Sequence, residues 1–409
     1  MELKAGYKKT EVGVIPEDWK IKTIDDVATV VGGGTPSTTN LLFWNGFINW
    51  FTPTEIGLNK YVFESNRKIT EDGLKNSSAR MLPKGTILLT SRAGIGDLAI
   101  LKKRSSTNQG FQSLISKDNI DNEFLYYLMS ISKKRLIEKA SGSTFLEISP
   151  NNLKQIQIPL PPLPEQKAIA TVLSDTDNLI QALEKKIAKK QLIKKGAMQK
   201  LLEPKEDWKK YILPKVCWFQ EGPGVRNSQF TNKGVKLLNG TNIEKGKLLL
   251  EKTDRYISTK EAFGWYSHFL VDDGDILIAS SGVTIEKFHE KVTIAERKNL
   301  PLCMNTSTMR FKTISQNLRK EFLFYFLKSN FFKQQIGGKA TGSAQLNFGP
   351  SHVSKVNINI PSYKEQTRIA KILSDMDSEI ETLEKKLKKY KQIKQGLMQV
   401  LLTGKIRLV

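Results

Sequence analysis

The sequence predicts a mixed α/β (α+β) fold in which two larger domains are joined by two long helices that form an antiparallel coiled coil, with an internal pseudo-two-fold. The first observation is a repeat at an offset of 200, in which 21 of 38 positions are identical between residues 165–202 and 365–402. The second is a weaker upstream repeat at an offset of 189, which matches Asp18-Trp19 to Asp207-Trp208. The third is an apolar spacing of three and four residues in both long segments, which is typical of a coiled-coil seam.

These repeats divide the chain into four segments. The predicted boundaries are residues 1–160 for the first larger domain, 161–203 for the first helix, 204–360 for the second larger domain and 361–409 for the second helix. In the first domain, the residue pattern predicts strands over residues 86–89, 98–101 and 156–158 and a helix over residues 123–139. In the second domain, it predicts strands over residues 275–279 and 356–360 and a helix over residues 320–335. The connections are rich in turn residues, which indicates mixed α/β domains.

The two long helices each carry an apolar seam and a polarised charge pattern. The seam positions are Leu173, Thr176, Ile180, Leu183 and Ile187 in the first helix and Leu373, Met376, Ile380, Leu383, Leu387 and Tyr390 in the second. Acidic residues lie in the first half of each helix, and basic residues fill the second half. Antiparallel pairing sets each acidic half against a basic half and suits the helix dipoles, whereas parallel pairing stacks like charges. The alternative is two separate solvated helices, and the heptad spacing favours the antiparallel pair.

The charge balance is the most unusual feature of the composition. The chain has 64 Lys and Arg residues against 41 Asp and Glu residues, for a net charge of +23. Such a charge favours a polyanionic partner, because basic side chains that neutralise phosphates release condensed counterions. Ribosomal, membrane-surface and heparin-binding proteins share this property, so the charge alone indicates only a class of partner.

Cysteine, histidine and apolar patterning exclude several classes of protein. Cys217 and Cys303 have no CxxC spacing, which excludes a disulfide framework and a cysteine-based zinc site and suits a reducing compartment. The three histidines are scattered, and isolated structural roles are expected for them. The chain has no signal-peptide pattern and no run of eighteen apolar residues, so we expect a soluble cytoplasmic protein without a membrane partner.

Candidate DNA-binding residues lie in turn-rich loops of the two larger domains. Glycine and hydroxyl residues allow backbone amides to approach phosphates, while Asn, Gln and Arg side chains can bind base edges. Each position alone is compatible with an ordinary polar turn, but the set, on a chain of this charge, favours DNA contact. The candidates are Thr35, Ser37, Thr38, Asn40, Ser91, Arg92, Asn108 and Gln109 in the first domain, and Arg226, Asn227, Asn239, Asn242, Ser280, Ser281 and Asn305 in the second.

Several of these segments match a known family. Residues 158–166, which read IPLPPLPEQ and lead into the first long helix, resemble the conserved region of type I restriction-modification specificity subunits. Residues 33–37, 91–96 and 108–111 resemble elements of the target-recognition domains of that family, and residues 222–226 and 305–308 resemble another variety of them. The second helix departs from the pattern, because Ser362-Tyr363-Lys364 replaces the Pro-Leu-Pro of the first, and we expect only local effects.

The resemblance implies a DNA-reading adaptor. Each target-recognition domain would read one half of a split, asymmetric target in double-stranded DNA, and the paired helices would act as a spacer that fixes the gap. The same helices would dock methyltransferase subunits, expected to number two, and restriction subunits would join the full complex. S-adenosylmethionine, ATP and Mg²⁺ would belong to those partners, so no cofactor, metal or catalytic residue is expected in this chain.

Missing motifs agree with a protein that is not an enzyme. The sequence has no NPPY-like or DPPY-like methyltransferase motif, no Walker motif and no glycine-rich cofactor loop between a strand and a helix. One alternative is a recognition domain fused to methyltransferase machinery. Another is a basic coiled-coil adaptor for DNA or RNA outside restriction. A salt titration separates the last alternative, because a site-specific reader retains sequence preference after non-specific affinity collapses.

Overall fold

The computed structural model describes residues 5–92, 94–142, 146–337 and 345–408. Contacts divide the chain into two compact units, Met1–Lys185 with Lys385–Val409, and Lys186–Glu384. Each unit combines the whole of one larger domain with segments of both long helices. The two long helices are therefore shared between the units.

The first unit contains a five-stranded and a three-stranded sheet. Its described strands are β1 (Tyr7–Thr10), β2 (Gly13–Pro16), β3 (Lys20–Thr23), β4 (Ala28–Gly32), β5 (Trp44–Phe51), β6 (Tyr61–Val62), β7 (Arg67–Ile69), β8 (Ile87–Leu89), β9 (Leu98–Leu101), β10 (Ser105–Thr107), β11 (Gln112–Ser116) and β12 (Gln157–Leu160). The larger sheet has the order β4-β11-β8-β9-β6, and the smaller has the order β10-β5-β7. In the smaller sheet, β10 runs parallel to β5 and β7 runs antiparallel to it. Two further antiparallel pairs, β1-β2 and β12-β3, complete the unit.

The helices of the first unit pack mainly on the larger sheet, except the second, which packs on the smaller sheet. They are α1 (Ile24–Val27), α2 (Glu71–Lys75), α3 (Asn122–Ile131), α4 (Lys133–Glu138), α5 (Pro150–Lys154) and the start of α6 (Leu163–Leu201). The single helix predicted over residues 123–139 is wrong, because α3 and α4 are separated at Ser132. The hydroxyl of Ser132 donates to the carbonyl oxygen of Leu128 (2.8 Å), and such a bond competes with continuation of a helix. The apolar face of α3 joins Trp19 and Leu173 in one core.

The second unit repeats this arrangement with shorter strands. Its described strands are β13 (Lys209–Ile212), β14 (Cys217–Glu221), β15 (Phe230–Thr231), β16 (Val235–Leu238), β17 (Ile243–Glu244), β18 (Lys247–Leu248), β19 (Tyr256–Ile257), β20 (Ile276–Ala279), β21 (Val283–Thr284), β22 (Val292–Ile294), β23 (Leu302–Met304), β24 (Thr308–Thr313), β25 (Gln345–Leu346) and β26 (Asn357–Ile360). Four-stranded sheets have the orders β14-β24-β20-β22 and β15-β19-β16-β23. As in the first unit, the second sheet contains a parallel pair, β16-β23, with β19 antiparallel to β16.

The helices of the second unit show the same interruption. They are α7 (Thr259–Phe263), α8 (Lys320–Lys328), α9 (Asn330–Gly337), α10 (Pro350–Val353) and α11 (Tyr363–Leu401). The single helix predicted over residues 320–335 is wrong, since α8 and α9 separate at Ser329. The Ser329 hydroxyl donates to the carbonyl oxygen of Phe326 (2.6 Å), as Ser132 does to Leu128 in the first unit. Phe322 of α8 and Leu373 of α11 lie in one core with the sheet.

The antiparallel pairing of α6 and α11 is confirmed within each unit. The ion pairs between the helices, measured from ammonium nitrogen to carboxylate oxygen, are Lys394–Asp177 (2.6 Å) and Lys391–Glu184 (2.6 Å) in the first unit, and Lys190–Glu379 (2.8 Å) and Lys194–Asp377 in the second. As the residue number increases along α6, the residue number of its ion-pair partner on α11 decreases, as it must in an antiparallel pair. Such pairs contribute about 0–1 kcal/mol each. The buried seam contributes more, since burying a leucine or isoleucine is worth about 1.5–3 kcal/mol, and Leu173, Leu183 and Ile380 are buried.

A buried tyrosine ties each larger domain to the paired helices. The hydroxyl of Tyr127 donates to Oδ2 of Asp177 (2.7 Å), and that of Tyr325 donates to Oδ2 of Asp377 (2.9 Å). Burial, reinforced by the aspartates, raises the pKa of both tyrosines well above the usual value. Both hydroxyls therefore remain protonated donors, and the same tyrosine–aspartate contact positions the two larger domains on the helices.

Candidate nucleic-acid interface

All of the predicted DNA-binding residues of the first unit lie in three loops. These loops are residues 33–40 after β4, residues 91–92 after β8 and residues 108–110 after β10, and we call them the first loop cluster. A Cβ atom added to Gly33 would lie well inside 3.0 Å of the carbonyl oxygen of Asn108, so only glycine permits this approach. The Thr35 hydroxyl donates a hydrogen bond to Oε1 of Gln109. The structure thus brings Thr35, Asn108 and Gln109 together.

Two tryptophans hold the loop of residues 33–40. Nε1 of Trp50 donates to the carbonyl oxygen of Gly34 (2.8 Å), and Nε1 of Trp44 donates to that of Ser37 (3.0 Å). The two indole rings meet edge to face with centroids 5.1 Å apart. Because buried Trp N–H groups need a partner, these bonds fix the backbone of the loop and leave its outer side chains free to contact a ligand.

The outer side chains of this loop differ in exposure. Ser37 and Thr38 are exposed, and the Ser37 hydroxyl shares a hydrogen bond with that of Thr39 (2.8 Å). Asn40 is half-buried, and its Oδ1 accepts from the backbone N–H of Leu42 (3.1 Å). Asn40 therefore caps a turn, whereas Ser37 and Thr38 face solvent.

Ser91 and Arg92 occupy different depths. Ser91 is buried, its backbone N–H donates to the carbonyl oxygen of Gly110 (2.8 Å), and its hydroxyl donates to Oε1 of Glu147 (3.3 Å). Arg92 is half-exposed, with Nη1 4.0 Å from Oε2 of Glu147. Ser91 thus supports the loops from within, while Arg92 can reach a ligand by leaving a weak surface ion pair.

The predicted residues of the second unit lie in four loops. These are residues 222–228 after β14, 239–242 after β16, 280–281 after β20 and 305–307 after β23, which we call the second loop cluster. A Cβ atom on Gly222 would lie well inside 3.0 Å of the carbonyl oxygen of Asn305, the counterpart of the approach of Gly33 to Asn108. Arg226 and Asn227 are exposed on the first of these loops.

Three predicted asparagines bind one another. Nδ2 of Asn305 donates to Oδ1 of Asn239 (3.0 Å), and Oδ1 of Asn242 accepts from the backbone N–H of Asn239 (2.9 Å). Asn242 and Asn305 are buried, and Asn239 is half-buried. The three side chains therefore hold the loops in place, and Asn239 is the one with surface open to a ligand.

Ser280 and Ser281 repeat the contrast seen at Ser91 and Arg92. Ser280 is buried, and its hydroxyl has no hydrogen-bond partner among the described residues. Ser281 is exposed, and its hydroxyl donates to Oδ1 of Asn347 (3.0 Å). Of the two, only Ser281 presents a side chain to solvent.

The two clusters are built on equivalent backbone contacts. The N–H of Asn108 donates to the carbonyl oxygen of Phe51 (3.0 Å), and that of Asn305 donates to the carbonyl oxygen of Leu238 (3.0 Å). The N–H of Ser91 binds the carbonyl of Gly110 (2.8 Å), and that of Ser280 binds the carbonyl of Ser307 (2.9 Å). The pairs Asn108/Asn305 and Ser91/Ser280, predicted separately from the sequence, thus occupy the same positions in the two units.

Sequence reasoning missed part of the second cluster. An open depression of about 350 Å³ is lined by Asn239, Asn242 and Ser281. Six further residues that were not predicted also line it: Gly240, Thr241, Thr253, Asp254, Arg255 and Ser307. In the first unit, the exposed Arg67 was missed as well. Arg67 and Arg255 are separated by 188 residues, so the repeat at an offset of 189 does not align them. The equivalence of these two arginines is visible only in the register of the strands.

The described residues contain neither a candidate metal site nor an exposed thiol. No group of three or more His, Cys, Asp or Glu side chains among them could hold a metal ion. Cys217 and Cys303 are free and buried, and burial raises the pKa of the Cys217 thiol to about 12 and that of Cys303 to about 11. Within residues 5–92, 94–142, 146–337 and 345–408, no helix is long and apolar enough to cross a membrane.

A family model and several known proteins are similar in sequence to this chain. The family described as "Type I restriction modification DNA specificity domain" matches residues 16–194 and 205–395. The MjaIX type I restriction enzyme specificity subunit of Methanocaldococcus jannaschii is 30% identical over 98% of this chain and 96% of its own length. The EcoR124I/EcoR124II specificity subunit of Escherichia coli is 29% identical over 43% of this chain and 44% of its own length.

Solved structures share the fold. A chain from a study of complex assembly and conformational transition of the type I R-M system aligns with a TM-score of 0.64 at 15% identity, over 96% of this chain and 99% of that one. The S subunit of a type I restriction-modification system from M. genitalium aligns with a TM-score of 0.55 at 17% identity, over 98% of both chains.

Proposed function

Because the chain belongs to the family of type I restriction modification DNA specificity domains, we propose that it reads an asymmetric, bipartite target in double-stranded DNA, one half with each loop cluster. The observation that carries this proposal is the equivalence of the two clusters. They share backbone contacts at Asn108 and Asn305, yet their outer side chains differ: Ser37 and Thr38 on one, Arg226 and Asn227 on the other. Equal scaffolds with different side chains suit two half-sites of different sequence. The net charge of +23 supplies the affinity for phosphates.

Exposure sorts the predicted residues into two roles. We assign direct DNA contact to the exposed or half-exposed side chains Thr35, Ser37, Thr38, Arg92, Gln109, Arg226, Asn227, Asn239 and Ser281. Asn40, Ser91, Asn108, Asn242, Ser280 and Asn305 hold the loops, since they are buried or bonded to the loop backbone. Hydrogen-bonding side chains at a groove read base edges, whereas their supports fix the geometry of that reading.

Partner subunits would supply the chemistry. The relatives named above are specificity subunits of type I restriction enzymes, and we place this chain in the same kind of complex, with methyltransferase and restriction subunits. Two methyltransferase subunits are expected, because each unit carries the same helix pairing and the same tyrosine–aspartate contact. S-adenosylmethionine, ATP and Mg²⁺ would be bound by those partners, and this chain would be non-catalytic. Since its DNA and its partners are cytoplasmic in this proposal, the chain would act there.

A methylation map tests the proposal. The chain is co-expressed with its neighbouring methyltransferase subunit in a host without adenine methylation, and modified bases are read across the genome. We expect a split, asymmetric motif that disappears when this chain is omitted. A second variant changes only the exposed Arg226 and Asn227 to alanine and keeps Gly222, which should alter one half of the motif only.

One alternative remains, a basic coiled-coil adaptor outside restriction. It predicts soluble, associated proteins with no sequence-dependent methylation. A salt titration of DNA binding separates the two functions further. A specific reader retains a difference between target and non-target DNA at a salt concentration where non-specific affinity has fallen, and a general adaptor loses both together.

A further inference from the structure

Strand register places one arginine at the same position in each unit. In the first unit, Trp50 of β5 lies opposite Arg67 of β7. In the second, the N–H of Leu237 in β16 donates to the carbonyl oxygen of Arg255 (3.0 Å), one residue before β19. Trp50 and Leu237 are themselves equivalent, because each precedes the residue whose carbonyl binds Asn108 or Asn305. Arg67 and Arg255 are therefore structural counterparts, although no sequence motif relates them.

Both guanidinium groups rest on aromatic rings. The guanidinium carbon of Arg67 lies 3.7 Å from the ring centroid of Trp44 and 5.4 Å from that of Trp50. The guanidinium carbon of Arg255 lies 5.4 Å from the ring centroid of Phe230. Stacking of this kind restricts the side chain while leaving its N–H donors unused. Among the ion pairs of the described residues none involves Arg67 or Arg255, and both side chains are exposed.

Both arginines adjoin the loops assigned to DNA contact. Trp44 and Trp50, beneath Arg67, are the two residues that hold the loop of residues 33–40. Arg255 lines the depression that also contains Asn239 and Ser281. The backbone of Arg255 is fixed on both sides, since its N–H donates to the Thr253 hydroxyl (3.4 Å). Each guanidinium is thus presented on an aromatic ring beside one cluster.

We propose that Arg67 and Arg255 are a matched pair of specificity-determining residues, each of which contacts a guanine in the half-site that its own unit reads. The inference rests on the proposed function and deepens it. A guanidinium presents two parallel N–H donors that match O6 and N7 of guanine in the major groove. Aromatic support restricts the orientations of that fork, so less freedom is lost when it binds.

The test compares methylation motifs of four variants made in the full chain with its partner methyltransferase. They are Arg67→Ala, Arg67→Lys, Arg255→Ala and Arg255→Lys. The matched controls are Arg104→Ala and Arg297→Ala, which change exposed arginines that precede β10 and β23, away from the loops that follow these strands. Thermal unfolding of each variant establishes that it folds.

The two half-sites of the motif should respond independently to changes in the two units. Arg67→Ala should relax one G·C position of one half-site, and Arg255→Ala should relax one position of the other, each by roughly 5- to 150-fold in discrimination. The lysine variants should also relax the motif while retaining affinity, because an ammonium keeps the charge without the paired donors. The controls should leave the motif unchanged.

Three outcomes would overturn the inference. A uniform loss of affinity with an unchanged motif and a smaller salt slope would indicate a phosphate contact instead. Lysine variants that retain full discrimination would exclude reading by paired donors. An unchanged motif in both alanine variants would exclude any contact to a base. In each of these cases, a split motif directed by the wild-type chain would leave the proposed function in place and reject only the role of the arginines. If the wild-type chain directed no motif at all, the proposed function itself would be rejected.

Discussion

The C-terminal arginine of the described chain offers the sharpest test of how the first unit is held together. Nε and Nη2 of Arg407 lie 2.7 Å and 2.8 Å from the two carboxylate oxygens of Glu165, whose side chain is only 2% exposed. Nη1 and Nη2 also bind Asp18, at 2.9 Å and 2.8 Å. Nε1 of Trp19 donates to Oε2 of Glu165 (3.0 Å). Arg407→Ala therefore leaves a buried carboxylate with the indole N–H as its main remaining side-chain donor.

The expected cost follows from the depth of each partner. Breaking a fully buried ion pair by removing one side costs about 3–5 kcal/mol. The Arg407 side chain is 25% exposed, and water can partly replace it, so about 2–3 kcal/mol is expected at Glu165. The Asp18 side chain is 52% exposed, which limits that pair to about 0–1 kcal/mol. Together, Arg407→Ala should lower the free energy of unfolding by about 2–4 kcal/mol.

Arg368→Ala is the matched control in the second unit. Arg368 binds Glu365, the repeat counterpart of Glu165, with both carboxylate oxygens at 2.7 Å. The Glu365 side chain is 22% exposed and keeps Lys205 at 3.3 Å, so this change should cost less than about 1 kcal/mol. Urea unfolding followed by circular dichroism at pH 7 measures both variants. If Arg407→Ala lay within about 0.5 kcal/mol of wild type, or matched Arg368→Ala, the argument from buried charge would be refuted.

Two other predictions concern single positions. Gly33→Ala should lower the free energy of unfolding by about 1–3 kcal/mol and weaken DNA binding, because its Cβ would collide with the Asn108 carbonyl. The control Gly196→Ala, whose Cβ meets no atom within 4 Å, should stabilise α6 by about 0.5–1 kcal/mol. Urea unfolding measures both variants, and equal effects on stability would contradict the predicted collision. Burial, with a smaller effect of Lys194, lowers the pKa of Lys328 from 10.5 to about 8. The unfolded chain then binds the extra proton between about pH 8 and 10.5, so wild-type stability should rise through that window relative to Lys328→Met. A difference between the two proteins that stays constant with pH would contradict this.

The pairing of the two long helices could be derived from the sequence alone. Seam spacing and the acidic and basic halves of each helix are local patterns, and they predicted the antiparallel pairing that Asp177–Lys394 and Lys194–Asp377 confirm. The interruptions at Ser132 and Ser329 could not be derived in the same way. A serine is compatible with a helical pattern, and the break shows only in the backbone, where Ser132 (φ −89°, ψ 2°) and Ser329 (φ −79°, ψ 161°) leave the helical conformation.

The candidate site was predictable as a set of loops but not as a set of exposed side chains. Glycine and hydroxyl composition located residues 33–40 and the turns that follow β8 and β10. Ser91 and Ser280 have the same hydroxyl chemistry as Ser37, yet the structure buries both of them. Burial depends on what the rest of the chain places above a residue, and that information is absent from a short segment.

The repeat, the charge and the helix pairing were determined by the sequence itself, because each is expressed by residues a few positions apart or by a simple offset. Tertiary structure alone decided which loop residues face solvent and that Arg67 and Arg255 are counterparts. Strand register sets that correspondence through hydrogen bonds between segments distant along the chain, such as Leu237 and Arg255. A single insertion or deletion shifts the sequence offset without changing the strand register. The two arginines therefore occupy equivalent positions in their units, although the sequence repeat does not align them.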